Sequence, residues 1–179
     1  MGQLFGVTPR QLDSRGSASE SVPAMNSGRP PGAESLRVQG ARVAVVLSRY
    51  NDEVGEKLLA GALTEIDRHA LAYEVFRVPG AFEIPLLAQR LAQTKRFDGV
   101  VAIGVVIKGD TAHFEHVCNA VTSGLTRVGL DSGLPIGFGV ITTDNLQQAL
   151  DRAGGKAGNK GSEAALAVLE MVSHLRQIK

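Results

Sequence analysis

The sequence predicts an α/β protein, a three-layer αβα sandwich around a central four-stranded parallel sheet. Short β-branched apolar runs alternate with helical periodicity from residue 36 onward. Strands separated by helices pair in parallel through right-handed crossovers. The longest apolar run, residues 99–107, stops abruptly at Lys108-Gly109-Asp110-Thr111-Ala112-His113. A run this short, β-branched and bounded by turn chemistry, reads as a buried strand. With 179 residues the chain is long enough for one domain with a full core.

Each element has its own signal. Residues 36–38 are expected to form a short N-terminal edge strand, and residues 42–47 the first core strand. Residues 53–68 form a helix with Leu58, Leu59, Ala62, Leu63 and Ile66 on one face. Residues 73–78 are the second strand and 81–92 the next helix. After the 99–107 strand, a helix is expected over 112–128 and a fourth strand over 136–141. Asp144, with Gln147 three residues later, has the pattern of an N-cap and its helper. That helix is expected to end near Ala153-Gly154-Gly155. A last helix over 162–177 packs Leu166, Leu169 and Val172. The class is flavodoxin-like, with no internal repeat.

Composition removes several functions. A formal charge of +1 gives no support for nucleic acid or a polyanionic surface as partner. No apolar stretch reaches the roughly 18 residues of a membrane span. The single cysteine, Cys118, rules out an internal disulfide and a cysteine-based zinc site. It reads as a small buried apolar side chain and fits a reducing compartment. Residues 1–34 are rich in Ser, Gly and Pro and read as a disordered or loosely attached arm ahead of a domain over 35–179. They lack the apolar core of a secretory signal. Asp13 and Glu20 interrupt the basic character of an organelle transit peptide, which stays the weaker alternative to the expected cytoplasmic location. Met25 is an alternative start.

The chemistry clusters at strand ends, where open α/β sheets hold their ligands. Ser48-Arg49-Tyr50-Asn51 leaves the first strand, Val78 to Pro85 the second, and Lys108 to His113 the third. The chain has only two tyrosines and six phenylalanines, yet Tyr50 and Phe82 both fall here. Such rings can hold a flat heterocycle or simply plug the end of the sheet. Gly80 lets the backbone approach a ligand closely or just makes a turn. Glu83 suits a helix start on dipole grounds alone.

His113 sits at a helix N-terminus, where free N–H groups favour an anion. The positive end of the dipole favours the neutral imidazole, which can accept a proton near pH 7. His116, one turn on, is its competitor. His69 and His174 fall in helix tails and are expected to face solvent. The segment Asp151 to Gly161 holds four glycines and three cations in eleven residues. Arg152 suits a phosphate because its fork binds two oxygens at once, and Lys160 offers an ammonium donor. A plain solvated loop is the competing reading. The stretch from Gly104 to Thr111 misorders the lysine and glycine of a phosphate-binding P-loop. No Gly-x-Gly-x-x-Gly turn follows the first strand.

Taken together, these segments resemble the lumazine synthase family, from about Val43 to Met171. The likeness rests on the ordered set: Ser48 to Asn51, Val78 to Pro85, Ile107 to Phe114, and Arg152 with Ala157-Gly158-Asn159-Lys160-Gly161. It implies condensation of 5-amino-6-(D-ribitylamino)uracil with 3,4-dihydroxy-2-butanone 4-phosphate. An imine forms, phosphate leaves, and ring closure with loss of water gives 6,7-dimethyl-8-ribityllumazine. No metal or other cofactor is implied.

The resemblance also implies roles. Tyr50 stacks on the pyrimidine with Asn51 beside it, and Ala81, Phe82 and Glu83 line the ribityl chain. Val106 and Ile107 meet the heterocycle. Gly109, Asp110 and Thr111 form the phosphate turn, together with Arg152. His113 transfers protons. Phe138, Arg152 and Lys160 reach the site of a neighbouring subunit, so a homo-oligomer is implied, either a pentamer or a sixty-subunit shell. The uninterrupted 154–159 connection resembles the shell-forming type. Riboflavin synthase is a further partner implied. Tyr50 stands where Phe or Trp is commoner, Lys108 where arginine is, and Asp110 brings a negative charge beside the phosphate. An archaeal-type riboflavin synthase, or a non-catalytic lumazine- or flavin-binding protein, are the alternatives. The first needs no phosphate subsite, and the second has no need of His113 and Arg152.

Overall fold

Valine and alanine crowd the strands because both faces of the sheet are covered. The computed structural model describes residues 36–178; the arm expected over residues 1–34 lies outside them. Four strands, β1 (Arg42–Ser48), β2 (Ala72–Val78), β3 (Gly99–Ile107) and β4 (Ile136–Thr143), form one sheet in the order β2-β1-β3-β4. All three pairings are parallel, with Val43 opposite Tyr73 and Gly99, and Val100 opposite Ile136. Successive side chains of a strand point to opposite faces, and two cores follow. Val43, Val45 and Leu47 pack with α1 (Asp52–Arg68) and α5 (Lys160–Gln177). Ala44 and Val46 pack with α2 (Ile84–Gln93) and α3 (His113–Ser132). This is the three-layer sandwich the sequence predicts.

Helix α1 buries Leu58, Leu59, Ala62 and Ile66, the larger side chains contributing about 1.5–3 kcal/mol each. Leu63 is only half-buried. Helices α1 and α5 approach closely where each carries a glycine. A Cβ on Gly161 would stand 2.0 Å from the Leu58 carbonyl oxygen, and one on Gly61 2.3 Å from the Asn159 side chain. Gly161→Ala therefore has to push two helices apart. It is expected to cost about 3 kcal/mol and to lower Tm by roughly 6–12 °C, as read by thermal unfolding.

Several boundaries differ from expectation. Residues 36–38 are not an edge strand. The Arg37 N–H donates to Ser173 Oγ of α5 at 2.9 Å, and the Ala41 N–H closes a turn onto the Val38 carbonyl at 2.9 Å. Val38, 2% exposed, thus packs beneath a helix, and β2 and β4 remain the sheet's edges. The cap of α4 (Leu146–Arg152) is Asn145, whose side chain accepts from the Gln148 N–H at 3.0 Å. Asp144 instead donates its own N–H to Gln148 Oε1 at 3.0 Å, so the expected cap and helper are each displaced by one residue.

Helix α3 continues to Ser132 and stops at Gly133, which adopts φ 67°, a left-handed end that glycine takes without strain. Residues 81–83 form a 3₁₀ turn ahead of α2. After α4 comes a small antiparallel hairpin, β5 (Ala153–Gly155) and β6 (Gly158–Asn159). His69 does not face solvent. Its ring is 18% exposed, with Nε2 3.7 Å from Glu65 Oε1. His174 is exposed as expected.

Candidate active site

Three loops leave the carboxyl ends of β1, β2 and β3, and hydrogen bonds hold the first and third to neighbouring strands. The Arg49 N–H donates to the Val78 carbonyl at 3.0 Å, and the Lys108 N–H to the Thr143 carbonyl at 2.8 Å. Asn51, in a left-handed conformation with φ 57°, donates Nδ2 to the Val105 carbonyl at 3.0 Å. Asn51 thus anchors the start of α1 to β3. The 3₁₀ turn packs against β3 and α3, which brings Phe82 and Glu83 to the same end of the sheet.

Tyr50 and Glu83 meet at Gly80. The edge of the Tyr50 ring stands where a Gly80 side chain would begin, and the Gly80 N–H donates to Glu83 Oε2 at 2.8 Å. Tyr50 is 71% and Phe82 61% exposed, a large apolar area offered to solvent at a sheet end. Such exposed aromatic surface marks a binding face. Ala81 is buried in the core, so only its backbone is available to a ligand. Val106 and Ile107 are half-buried and lean toward opposite cores.

Gly109, Asp110, Thr111 and His113 are all exposed. Helix α3 starts at His113 behind Ala112, which has no side chain to cap it. The His113 N–H reaches Thr111 Oγ1 only at 3.4 Å. The amides of this first turn remain largely open, as anion binding requires. His116 is exposed one turn further on. Cys118 is half-buried rather than fully buried. Burial and the nearby Glu115 push its thiol pKa up, which leaves it a poor nucleophile.

Phe138, Arg152 and Lys160 do not join these loops within one chain. They line a separate cavity of about 450 Å³ between β4 and α5, with Val140, Thr142 and Glu163. Arg152 gives one N–H to the Gln148 carbonyl at 3.0 Å, which orients its guanidinium at the end of α4. Lys160 Nζ pairs with Glu163 at 2.7 Å. Lys156 and Gln147 both bond Asp151 and hold its carboxyl below the ordinary range; the Lys156 contact is 3.1 Å. Asn159 clasps the hairpin to α1 by donating to the Lys57 carbonyl at 2.8 Å. It also caps α5 by accepting from the Gly161 and Ser162 N–H groups.

Residues 40–176 match the family model described as 6,7-dimethyl-8-ribityllumazine synthase. The chain belongs to that family. The 6,7-dimethyl-8-ribityllumazine synthases of Nitratidesulfovibrio vulgaris strains DP4 and Hildenborough are each 47% identical to it over 146 residues, covering 80% of this chain and 94% of theirs. The lumazine synthase match spans both groups of residues just described, the loops at the sheet end and the cationic cavity.

Glu163 is the residue that sequence reasoning missed in this lumazine synthase family chain. Its signal was an acid three residues beyond Lys160, which faces it once the helix begins at Lys160. Among the described residues no three His, Cys, Asp or Glu side chains gather as a metal site. Nor is any helix there long and apolar enough to cross a membrane.

Proposed function

We propose that the protein condenses 5-amino-6-(D-ribitylamino)uracil with 3,4-dihydroxy-2-butanone 4-phosphate to give 6,7-dimethyl-8-ribityllumazine, phosphate and water, the penultimate step of riboflavin biosynthesis. The family match over residues 40–176 carries this reading. The pyrimidine's amine attacks the ketone and an imine forms with loss of water. Phosphate then leaves as the inorganic ion. Its departure, with loss of the proton from the neighbouring carbinol carbon, leaves an enol that tautomerises to a new carbonyl. The ribitylamino nitrogen closes the second ring onto that carbonyl, and a second water departs. No electrons are gained or lost overall, so no redox cofactor is required.

In this reading Tyr50 stacks on the pyrimidine, and Asn51 keeps the Tyr50 loop on β3. Phe82, Glu83 and the Ala81 backbone receive the ribityl chain, and Val106 and Ile107 border the ring. The N–H groups of 109–111 and Arg152 bind the phosphate. Asp110 contributes its backbone, since its carboxylate would repel the anion. His113 moves the protons that imine formation and phosphate loss require.

Phe138, Arg152 and Lys160 complete the site of a neighbouring subunit. Their position in a cavity apart from the three loops supports this. The working unit is then a homo-oligomer, a pentamer or a shell of pentamers, and the tight 153–159 hairpin agrees with the shell-forming type. The chain works in the cytoplasm, with riboflavin synthase as the partner that consumes its product. An archaeal-type riboflavin synthase would have no use for the open α3 start and Arg152. A non-catalytic flavin binder would have no use for His113.

The purified chain, given both substrates and a metal chelator, is expected to develop lumazine absorbance and release phosphate in equal amount. Neither signal appearing would overturn the reading.

A further inference from the structure

Gly80 has no backbone reason to be glycine. Its φ of −139° and ψ of 176° are extended, a conformation open to any residue. The reason lies in the space where a side chain would stand. A Cβ there would lie 3.1 Å from Tyr50 Cδ2, 3.2 Å from Tyr50 Cε2 and 3.1 Å from Glu83 Oε2. All three are inside the optimum for non-bonded heavy atoms. The ring edge and the carboxylate therefore converge on one bare Cα, and the N–H of the same residue holds Glu83 Oε2 at 2.8 Å.

An aromatic side chain as exposed as Tyr50 needs a seat if it is to be ordered before its ligand arrives, and such pre-ordering lowers the cost of binding. Glu83 gains likewise. One oxygen is fixed by the amide, and the carboxylate keeps acceptor capacity for a hydroxyl. Resting on the function proposed above, we infer that Gly80 is a positioning residue for the pyrimidine substrate. Its missing side chain sets the spacing between the ring that stacks on the heterocycle and the carboxylate that receives the polyol.

Gly80→Ala tests this gently, because the backbone tolerates alanine and only the ring and carboxylate must yield by a few tenths of an ångström. A displacement that small is expected to raise KM for the ribitylaminopyrimidine about five- to tenfold. The KM for the phosphorylated ketone and kcat should stay within about twofold, with an unchanged Tm. In a Tyr50→Leu, Glu83→Ala background the same substitution is expected to change the pyrimidine KM less than about twofold, since the groups it positions are gone. An unchanged pyrimidine KM overturns the proposal. So does an undiminished effect in the double-variant background, or a fall in Tm with both KM values raised together. A wild-type chain that forms no lumazine overturns the underlying reading instead, and is told apart by that assay alone.

Discussion

Arg152→Ala is expected to raise KM for the phosphorylated ketone by about 10- to 100-fold, the loss of one charge-assisted hydrogen-bonding group. The KM for the pyrimidine should remain within about twofold, because uniform binding is removed from one substrate only. The guanidinium lies in the cavity between β4 and α5 and spends one N–H on the Gln148 carbonyl. Most of its donors are left for a phosphate. Lys160 is committed to Glu163, so it compensates poorly for a missing Arg152. Arg152→Lys keeps the charge and loses the planar fork, and its KM should fall between wild type and the alanine variant. Initial rates with each substrate varied in turn decide the matter. A ketone KM untouched by Arg152→Ala would remove the residue from the phosphate subsite.

The sheet was legible because a strand covered on both faces has to be apolar along its whole length. Residues 42–47 and 99–107 could be little else. Helix α1 was legible through the spacing of Leu58, Ala62 and Ile66. Failures came where two residues were chemically equal or the element was too short to carry a period. Asp144 and Asn145 cap equally well, and only the path of the chain selects Asn145. Strands of three and two residues, β5 and β6, show no alternation. Leu36-Arg37-Val38 looked like a strand, but its amide found a helix side chain. His69 is drawn in beside Glu65, itself buried and indistinguishable in sequence from any solvated glutamate. Glu163 was hidden because the last helix was expected from residue 162; starting it at Lys160 puts the two side chains one turn apart. The candidate site divided along the same line. The strand-end loops were visible one by one, whereas the meeting of Tyr50 and Glu83 over Gly80 needs β1 and β2 in register.

His113→Ala is expected to lower kcat by about 10²-fold or somewhat less, the low end of general acid–base effects. Imine formation proceeds slowly without help, which sets that ceiling. Alanine is a good helix former at an exposed first turn, so α3 and the stability of the chain should survive. An unchanged rate would remove the histidine from the mechanism. The variant also reports on assembly. The loop carrying His113 and the cavity carrying Arg152 are apart within one chain, and under the proposed function a complete site takes one from each of two neighbours. Co-assembling equal amounts of His113→Ala and Arg152→Ala chains should then leave about a quarter of the sites with both native groups, given head-to-tail contacts around a ring. At ketone concentrations near the wild-type KM, well below that of the Arg152→Ala chain, activity should rise well above either variant alone. If instead both residues serve the site of their own chain, every site in the mixture lacks one of them and mixing restores nothing. The two arrangements thus predict opposite outcomes from the same pair of impaired proteins.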